Sequence, residues 1–339
     1  MTDQEDLFIP DAVVLEIVQD LWSGYGQIER LQLKRHPQNT LIRKVVRPPV
    51  SKTTHPRGWN SAFADQRKRR SYEVELVFYR RYARHCTPHC RVPAFYDKWS
   101  SATWTESLDP SGRPALKTLT LTLEDLNAQG FAPVSAPNRA QQSASLRWLA
   151  HFHSTFLYMP PKGLWQRGGY WHLDTRPEEY AQMEPGLLKT KARIIEDRLH
   201  HGPQTLIHGD AKVANFCFRP GRIDNTESFD AAAVDFQYVG GGCGIKDVAY
   251  FLGSCLPEGS LTDQDNWARQ HLNDYLRTLG TALHSRFSTA EVSAVLNEWE
   301  ACFELAWADF QRFLLGWAPA HPKNSRLAND YTERVLTNL

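Results

Sequence analysis

The sequence predicts an α+β protein with a small sheet part near its N-terminus and a larger, mainly helical part after it. Apolar and polar residues alternate at 28–33 and at 116–123, which is the period of a strand with one buried face. Residues 40–46 form a third strand-like segment, which ends before two prolines. From Trp267 to Trp317 aromatic residues recur at helical spacing instead. With 339 residues, the chain is long enough for two lobes.

Other segments complete this pattern in chain order. Residues 11–21 carry an apolar stripe at helical spacing and are predicted to form a helix. Residues 51–66 are polar and contain Pro and Gly, so we expect a mobile loop there. Helices are also predicted at 66–82 and at 145–157, because both segments repeat apolar residues every three or four positions.

The composition narrows the class of protein. Lys and Arg number 39 and Asp and Glu number 38, and this balance argues against nucleic acid as the main partner. No apolar run is long enough to span a membrane, and residues 1–11 are acidic rather than signal-like. We therefore expect a cytoplasmic protein without a membrane partner, and we expect its six cysteines to be reduced. Nothing in the sequence indicates an oligomeric state.

One cluster contains potential metal ligands, at His85, Cys86, His89 and Cys90. Four such side chains in six residues are compatible with zinc, but no second ligand pair follows at a zinc-finger spacing. A single tight turn also surrounds a metal ion tetrahedrally only with difficulty. We therefore interpret the segment as a loop after a helix, with zinc binding as the alternative.

The segment Leu206–Asn215, LIHGDAKVAN, carries the strongest functional signal. Asp210 follows a short apolar run, so its carboxylate is expected on a loop with a rigid base. Lys212, two residues later, is able to reach a transferred phosphate. Asn215 offers one oxygen ligand, and Asp235, at the end of a predicted return strand, offers another. These are the groups that a phosphoryl-transfer site with Mg²⁺ requires.

Each of these residues also has a plainer explanation, since Asp and Asn are common in turns for backbone reasons. The whole pattern, H-x-D-x-K-x-x-N before a predicted hairpin that ends in V-D-F, contains several independent matches and favours the functional interpretation.

Other residues near this pattern have structural explanations. Asp247 opens an apolar helical segment and is explained first by helix capping. His153 is interpreted as a core histidine. The glycines within 240–244 are expected in a flexible, closely packed turn.

These motifs resemble the phosphotransferase loop of the aminoglycoside phosphotransferase and choline kinase group, which shares the protein kinase-like fold. That fold has two lobes, a small N-terminal β-sheet lobe and a larger, mainly helical C-terminal lobe. DFQ at 235–237 and KDVAYFL at 246–252 are most similar to the ecdysteroid kinase-like branch of the group. The resemblance implies that Asp210 is the catalytic base and that Asn215 and Asp235 hold Mg²⁺. It also implies that Asp247 supports the catalytic loop in addition to capping its helix.

Two positions depart from the pattern of these relatives. Many of them carry an aromatic residue or His where this chain has Lys212, which makes the loop more similar to protein kinases. We therefore include Lys212 as a catalytic candidate that contacts the transferred phosphate. Gln237 stands where protein kinases have the glycine of DFG, so a DFG-type flip is not expected.

The resemblance also implies an ion pair that binds ATP. The strand segment LIRK ends in Lys44, and alternation along the strand directs Lys44 and Arg43 to opposite faces. We choose Lys44 as the ATP contact, with a solvated charge as the alternative. The helix motif E-x-x-F-Y begins at Glu75, which by resemblance fixes the Lys44 ammonium on the α and β phosphates. Glu73 is the alternative partner.

Two further features are candidates for nucleotide contacts. Gly24 and Gly26 lie before the first strand and are candidates for phosphate binding, although a Gly-x-Gly pair more often marks a plain turn. The hinge of the related families, whose backbone contacts adenine, is matched by Glu124, Asp125 and Leu126. The predicted domains are therefore 1–126, the nucleotide-binding lobe with the hinge, and 127–339, the catalytic and acceptor-binding lobe.

Residues 163–174, GLWQRGGYWHLD, combine aromatic residues with glycines. Aromatic side chains near a cleft are able to enclose a hydrophobic or cationic acceptor. A surface loop held by its own tryptophans is the equal alternative.

The sequence and the resemblance together predict an ATP- and Mg²⁺-dependent enzyme that phosphorylates a hydroxyl group of a small molecule. The acceptor is open among metabolites, sterols, amino alcohols, sugars and antibiotics. Two alternatives are a catalytically silent nucleotide-binding regulatory protein with the same fold and an enzyme that transfers a nucleotide. The presence of both Asp210 and Asp235 favours the kinase over the silent protein.

Overall fold

The computed structural model describes residues 12–34, 36–49, 61–108, 112, 114–221, 228–321 and 323–339. The chain divides into two compact units. The first unit comprises Met1–Arg84 and Val92–Ala132, and the second comprises His85–Arg91 and Pro133–Leu339. The short segment His85–Arg91 therefore belongs to the second unit although it interrupts the first along the chain.

The first unit contains a five-stranded sheet with the order β1-β2-β3-β5-β4, in which all neighbours are antiparallel. Its strands are β1 (Ala12–Asp20), β2 (Gly26–Leu33), β3 (His36–Val46), β4 (Ser101–Leu108) and β5 (Pro114–Glu124). The three strands predicted in this region correspond to β2, β3 and β5. Strand β3 lies in the middle of the sheet, where its residues Leu41, Val45 and Val46 are buried.

The helix predicted over 11–21 is wrong, because residues 12–20 form strand β1, which pairs with β2. The apolar residues of this segment are largely β-branched, and such side chains favour strands. The apolar stripe that we interpreted as one face of a helix is largely exposed, with Ile17 at 57%. Pairing with β2 along the edge of the sheet, rather than burial of a face, therefore determines its structure.

Helix α1 (Ala62–Val77) begins shortly after residues 50–60, which lie outside the described residues. Ser61 caps it by accepting a hydrogen bond from a first-turn amide at 3.0 Å. A π-helical turn continues it over Phe78–Tyr82, so the helix predicted at 66–82 is confirmed with an earlier start. Most of the loop predicted at 51–66 lies outside the described residues.

The second unit is mainly helical, and the helices predicted at 145–157 and within 267–317 are confirmed. Its helices are α2 (Arg139–Phe156), α3 (Pro177–Gln182), α4 (Leu187–His200), α5 (Ile245–Ser254), α6 (Leu261–Leu283), α7 (Thr289–Ala301), α8 (Phe303–Trp317) and α9 (Arg326–Asn338). Helix α2 runs through the core, where the ring of Phe152 contacts the rings of Trp148 and Phe156. None of the helices in the described ranges combines the length and apolar character that crossing a bilayer requires.

Short strands lie between these helices and position the loops of the second unit. Strand β6 (Ala132–Pro133) precedes α2 at the boundary of the two units along the chain. The strands within the second unit are β7 (Thr205–Ile207), β8 (Phe216–Pro220), β9 (Phe229–Ala233) and β10 (Gly240–Gly242). Strands β8 and β9 pair in antiparallel fashion, which confirms the predicted hairpin; residues 222–227 of its turn lie outside the described residues. Strand β10 pairs with β7, so its glycines form a buried strand and not the flexible turn that we expected. A Cβ at Gly240 would lie 2.2 Å from the carbonyl oxygen of Trp165, and this close approach requires glycine.

Gly26 provides a test of how tightly β2 packs on β3. Its φ is +131°, and an added Cβ would lie 2.0 Å from the carbonyl oxygen of Val45. We expect Gly26→Ala to lower the free energy of unfolding by about 2–4 kcal/mol, because backbone strain and steric overlap add. Gly24→Ala is the matched control, since its φ is +71° but a Cβ there meets nothing within 4 Å. Its expected cost is about 1 kcal/mol. Urea denaturation measures both variants, and equal losses would contradict the packing argument.

Candidate active site

The loop that carries Asp210 begins directly after the buried strand β7. His208, the first residue after this strand, is fully buried. Its Nε2 donates to the carbonyl oxygen of Val234 at 3.0 Å, and its Nδ1 accepts a hydrogen bond from the amide of Asp210 at 3.3 Å. A neutral imidazole offers one donor and one acceptor, so it is able to make both bonds at once. His208 thereby connects the loop to the residue that precedes Asp235.

Gly209 allows this loop to pass close to two other backbone segments. Its φ is +77°, and a Cβ there would lie 2.1 Å from the carbonyl oxygen of Tyr238 and 2.7 Å from the amide nitrogen of Gly169. The amide of Tyr170 also donates to the carbonyl oxygen of Gly209 at 3.2 Å. Only glycine fits such a position, both sterically and by its dihedral angles.

A buried carboxylate on α5 holds the backbone of the same loop. Asp247 accepts hydrogen bonds from the amides of His208 at 2.6 Å and Gly209 at 2.9 Å. Its Oδ2 lies 3.1 Å from Nε2 of His153, and Nδ1 of that ring lies 2.8 Å from the hydroxyl of Tyr275. His153 is therefore a core histidine, as predicted. Capping is not the main role of Asp247, because its hydrogen bonds reach the loop.

Three predicted site residues on the loop contact one another. Nζ of Lys212 lies 3.0 Å from Oδ2 of Asp210. The side-chain amide of Asn215 donates to the carbonyl oxygen of Asp210 at 2.8 Å and to its Oδ2 at 3.2 Å. From α5, the hydroxyl of Tyr250 donates to Oδ1 of Asp210 at 3.1 Å. Both carboxylate oxygens of Asp210 are thus held in place, and the residue is only 7% exposed.

Asp235 reaches this group from the end of the β8–β9 hairpin. The amide of Val234, just before it, donates to the carbonyl oxygen of Asn215 at 3.0 Å. The side-chain amide of Gln237 donates to Oδ1 of Asp235 at 2.5 Å. The backbone of Asp235 has a φ of +69°, a conformation that costs a non-glycine residue about 1–2 kcal/mol. Strain of this kind is typical of functional positions.

The pKa of Lys212 shows that the two aspartates act on the same ammonium group. Burial tends to lower this pKa, but the negative charges of Asp210 and Asp235 outweigh burial and raise it above the ordinary value. Lys212 therefore stays protonated at neutral pH. The structure thus brings together, within the second unit, all four residues that the sequence assigned to catalysis and metal binding: Asp210, Lys212, Asn215 and Asp235.

Asn215 and Asp235 are suitable ligands for a divalent cation whose other ligands are water or phosphate oxygens. The nitrogen of the Asn215 amide is bound to Asp210, which leaves the amide oxygen as the atom on offer. Across the described ranges, no group of three or more His, Cys, Asp or Glu side chains could hold a metal ion. A cation at Asn215 and Asp235 would therefore need oxygen atoms from water or phosphate, and this is how Mg²⁺ is usually bound.

The predicted ATP-binding ion pair is formed within the first unit. Nζ of Lys44 lies 2.7 Å from Oε2 of Glu75, and both side chains are buried. Arg43, the strand neighbour of Lys44, binds Glu29 at 2.7 Å instead. The alternative partner Glu73 pairs with a helix arginine. The geometry therefore agrees with the choice of Lys44 and Glu75, and their contact with ATP stays a prediction.

The predicted hinge residues hold the end of β5 in place. The carboxylate of Asp125 accepts hydrogen bonds from Arg30 and from Thr40, each at 2.7 Å. The carboxylate of Glu124 accepts a hydrogen bond from the backbone amide of Ala94 at 3.0 Å, and the side chain of Leu126 is buried. Both acidic side chains thus stabilise the first unit, and the backbone amide of Glu124 donates to the carbonyl oxygen of Ala94 at 2.9 Å. Contact of this backbone with adenine stays a prediction.

Gly24 and Gly26 both have structural explanations. Gly24 ends a short 3₁₀ turn with positive φ, and Gly26 begins β2 directly against the backbone of β3. Neither explanation involves a ligand, and their contact with phosphate stays a prediction.

The aromatic segment 163–174 is built into the second unit. Trp171 is fully buried and donates to Oδ2 of Asp309 on α8 at 2.9 Å. Nε1 of Trp165 donates to the carbonyl oxygen of Gln237 at 2.8 Å. Trp171 is therefore a core residue. It belongs neither to a surface loop nor to an aromatic enclosure around an acceptor, the two arrangements considered from the sequence.

Tyr170, in the same segment, lies beside the aspartate loop. Its hydroxyl is 3.2 Å from the hydroxyl of Tyr250, which in turn binds Asp210. Burial and the charge of Asp210 raise the pKa of Tyr170 above its ordinary value, so the hydroxyl stays protonated. The sequence motif KDVAYFL included Tyr250, but its pattern did not show that this tyrosine would reach Asp210.

Lys323 is a charged neighbour that the sequence did not indicate. It lies between α8 and α9, with Nζ 4.3 Å from the ring centroid of Tyr250. Burial lowers the pKa of Lys323 to about 8, although the charge of Asp210 acts in the opposite direction. Lys323 is therefore mostly protonated at neutral pH.

The cysteine and histidine cluster forms a short turn in the second unit. Thr87 caps the turn, and Cys90 is buried behind it. A hydrogen bond from Cys86 lowers the pKa of the Cys90 thiol to about 6. The rings of His89 and His151 stack at 4.7 Å, a contact that explains one of the histidines without a metal.

Solved structures with a similar fold include small-molecule kinases. Amicoumacin kinase hAmiN, in complex with AMP-PNP, Ca²⁺ and Ami, has a TM-score of 0.50 and 12% identity, and the match covers 97% of this chain and 88% of that chain. Aminoglycoside-3'-phosphotransferase of type VIII has a TM-score of 0.45 and 16% identity, and the match covers 86% of this chain and 94% of that chain. Plasmodium vivax ethanolamine kinase has a TM-score of 0.47 and 9% identity, and the match covers 97% of this chain and 81% of that chain. The first likeness shows the two-lobed, kinase-like fold and confirms the predicted fold class.

The model of the ecdysteroid kinase-like family matches residues 170–285. This part of the chain, which includes the aspartate loop, the hairpin and α5, is therefore similar to that family. The match confirms the resemblance that the motifs in 206–252 indicated. No curated protein matches the sequence.

Asp247 allows a test of whether the buried carboxylate braces the loop or only caps α5. We expect Asp247→Asn to lower the free energy of unfolding by about 3 kcal/mol, because an amide group would face backbone donors that now bind an acceptor. Asp263→Asn is the control, since Asp263 also lies in the first turn of a helix but is exposed. Its expected loss is below about 1 kcal/mol. Chemical denaturation measures both, and similar small losses would support capping alone.

Proposed function

We propose that this protein is a kinase that transfers the γ-phosphate of ATP to a hydroxyl group of a small molecule with the help of Mg²⁺. The observation that carries the proposal is the cluster of Asp210, Lys212, Asn215 and Asp235 in one loop and one hairpin end. Phosphoryl transfer depends mostly on positioning and charge stabilisation, and this cluster supplies both.

Asp210 acts on the acceptor hydroxyl. Its carboxylate takes the hydroxyl proton, or orients it, while the acceptor oxygen forms a bond to the γ-phosphorus and ADP leaves with the bridging oxygen. Lys212, which pairs with Asp210 at 3.0 Å, stabilises the charge that develops on the transferred group. Because Tyr250 and Asn215 hold the carboxylate from two sides, its orientation is set before the substrate binds.

The remaining residues bind the nucleotide and the cation. Asn215 and Asp235 hold Mg²⁺, which neutralises phosphate charge when it is bound. Lys44, fixed by Glu75, contacts the α and β phosphates. Gly24, just before β2, and Gly26, its first residue, cover the phosphates, and the backbone of 124–126 contacts adenine. In this proposal residues 1–126 form the nucleotide-binding lobe and residues 127–339 bind the acceptor.

The named relatives support an alcohol as the acceptor. The solved structures with this fold include amicoumacin, aminoglycoside and ethanolamine kinases, and the matching family model is that of ecdysteroid kinase-like proteins. We therefore propose a metabolite, sterol, amino alcohol, sugar or antibiotic as the class from which the acceptor comes.

The Asp210→Asn variant tests the proposed reaction. We expect kcat for ATP-dependent phosphorylation to fall by about 10²–10⁴-fold, because the amide cannot accept the proton. The KM for ATP should change little, since Asp210 does not contact the nucleotide in this proposal. A mass-spectrometric screen of alcohols for the gain of one phosphate measures the reaction.

Asp230→Asn is the matched control for this experiment. Asp230 lies on the same hairpin, is exposed and pairs with Arg219 at 2.8 Å, so its variant should retain full activity. ATP binding without turnover in the unmodified protein would instead indicate a regulatory protein. A product that gains AMP would indicate nucleotide transfer.

A Mg²⁺ titration tests the second aspartate. In the Asp235→Asn variant we expect the Mg²⁺ concentration for half-maximal activity to rise about tenfold or more, because an anionic ligand becomes neutral. Initial rates at saturating ATP measure this shift, with Asp230→Asn again as the control. An unchanged Mg²⁺ requirement would remove Asp235 from the metal site.

A further inference from the structure

A second lysine lies beside the Asp210 carboxylate. Nζ of Lys323 is 4.3 Å from the ring centroid of Tyr250 and 5.8 Å from that of Phe310. The hydroxyl of the same Tyr250 donates to Oδ1 of Asp210 at 3.1 Å. Tyr250 therefore contacts both the Lys323 ammonium and the proposed proton acceptor.

The Lys323 ammonium lacks a counter-ion within the part of the chain that the structure describes. The charged side chains that act on it are Asp210 and Lys212, and Asp210 is already paired with Lys212. A partly buried ammonium loses hydration, and contacts with aromatic rings replace only part of it. An anion that entered beside Tyr250 would provide the missing partner.

We propose that the acceptor is an alcohol that also carries an anionic group, a carboxylate or a phosphate, and that Lys323 binds this group. The inference rests on the proposed kinase function. The hydroxyl lies at Asp210 and the anion at Lys323, and Tyr250 contacts both residues. An amine at the same place would meet two ammonium groups, those of Lys212 and Lys323, and would be repelled. Lys323 takes no part in bond making and is a specificity residue.

Four benzyl alcohols of matched size test this inference. They carry, opposite the hydroxymethyl group, a carboxylate, a phosphate ester, a carboxamide or an aminomethyl group. Calorimetry with the full chain, in the presence of AMP-PNP and Mg²⁺, measures their dissociation constants. We expect the two anionic probes to bind about tenfold or more tightly than the carboxamide, which corresponds to one charge-assisted hydrogen bond. The aminomethyl probe should bind most weakly.

Variants of Lys323 connect this preference to the side chain. Lys323→Gln should abolish the preference for anions, and Lys323→Arg should retain most of it. Lys98→Gln is the matched control, because Lys98 also lies over an aromatic ring, at 4.5 Å from that of Trp99, but belongs to the first unit. Its variant should keep the preference. Thermal unfolding of all three variants shows whether each one is folded.

The outcomes separate this inference from the proposed kinase function. An anion preference that needs Lys323 supports the anion site at Lys323. If no probe is phosphorylated, this site keeps its support and the kinase function alone loses it. Phosphorylation of the neutral or cationic probe with no effect of Lys323→Gln supports the kinase function and overturns the inference. Equal binding of all probes, or no binding, also overturns it. A fall in kcat by the same factor for every probe in Lys323→Gln would place Lys323 on the transferred phosphate and overturn it as well.

Discussion

The buried carboxylate of Asp247 is the contact on which the geometry of the site depends. Two successive backbone amides donate to it, and a carboxylate removed from water requires such donors. Because these amides lie directly before Asp210, the position of α5 determines where the Asp210 carboxylate lies. The same helix acts a second time through Tyr250, whose hydroxyl binds that carboxylate. A single helix therefore sets both the backbone and the side chain of the proposed catalytic residue.

The parts of the site that could be predicted from the sequence are those that local geometry determines. Asp210, Lys212 and Asn215 lie within six residues, so one tight loop brings them together. Asp235 could be added because two strand-like segments on either side of a turn must place their ends side by side. The pairing of Lys44 with Glu75 followed only from the resemblance, since it depends on how a helix packs on a sheet.

The features that could not be predicted depend on contacts between distant segments. Strand β1 has a helix-like stripe, and only its pairing with β2 makes it a strand. The glycines of β10 resemble a turn in sequence, but a neighbouring carbonyl oxygen excludes any side chain there. Lys323 is far from Asp210 in sequence and approaches it because α5, α8 and α9 pack together. No local pattern contains this information.

The buried charges around Asp309 determine which parts of the chain a stable fragment would need to contain. Lys246 lies 3.2 Å from this carboxylate, and Arg312 and Trp171 bind it as well, so two cations share one anion inside the protein. Lys246 and Trp171 fall within the segment that matches the family model, whereas Asp309 and Arg312 fall outside it. A fragment limited to 170–285 would lack Asp309 and would leave the Lys246 ammonium without this partner. The segment that matches the family model therefore depends on α8 for the counter-ion of its buried Lys246.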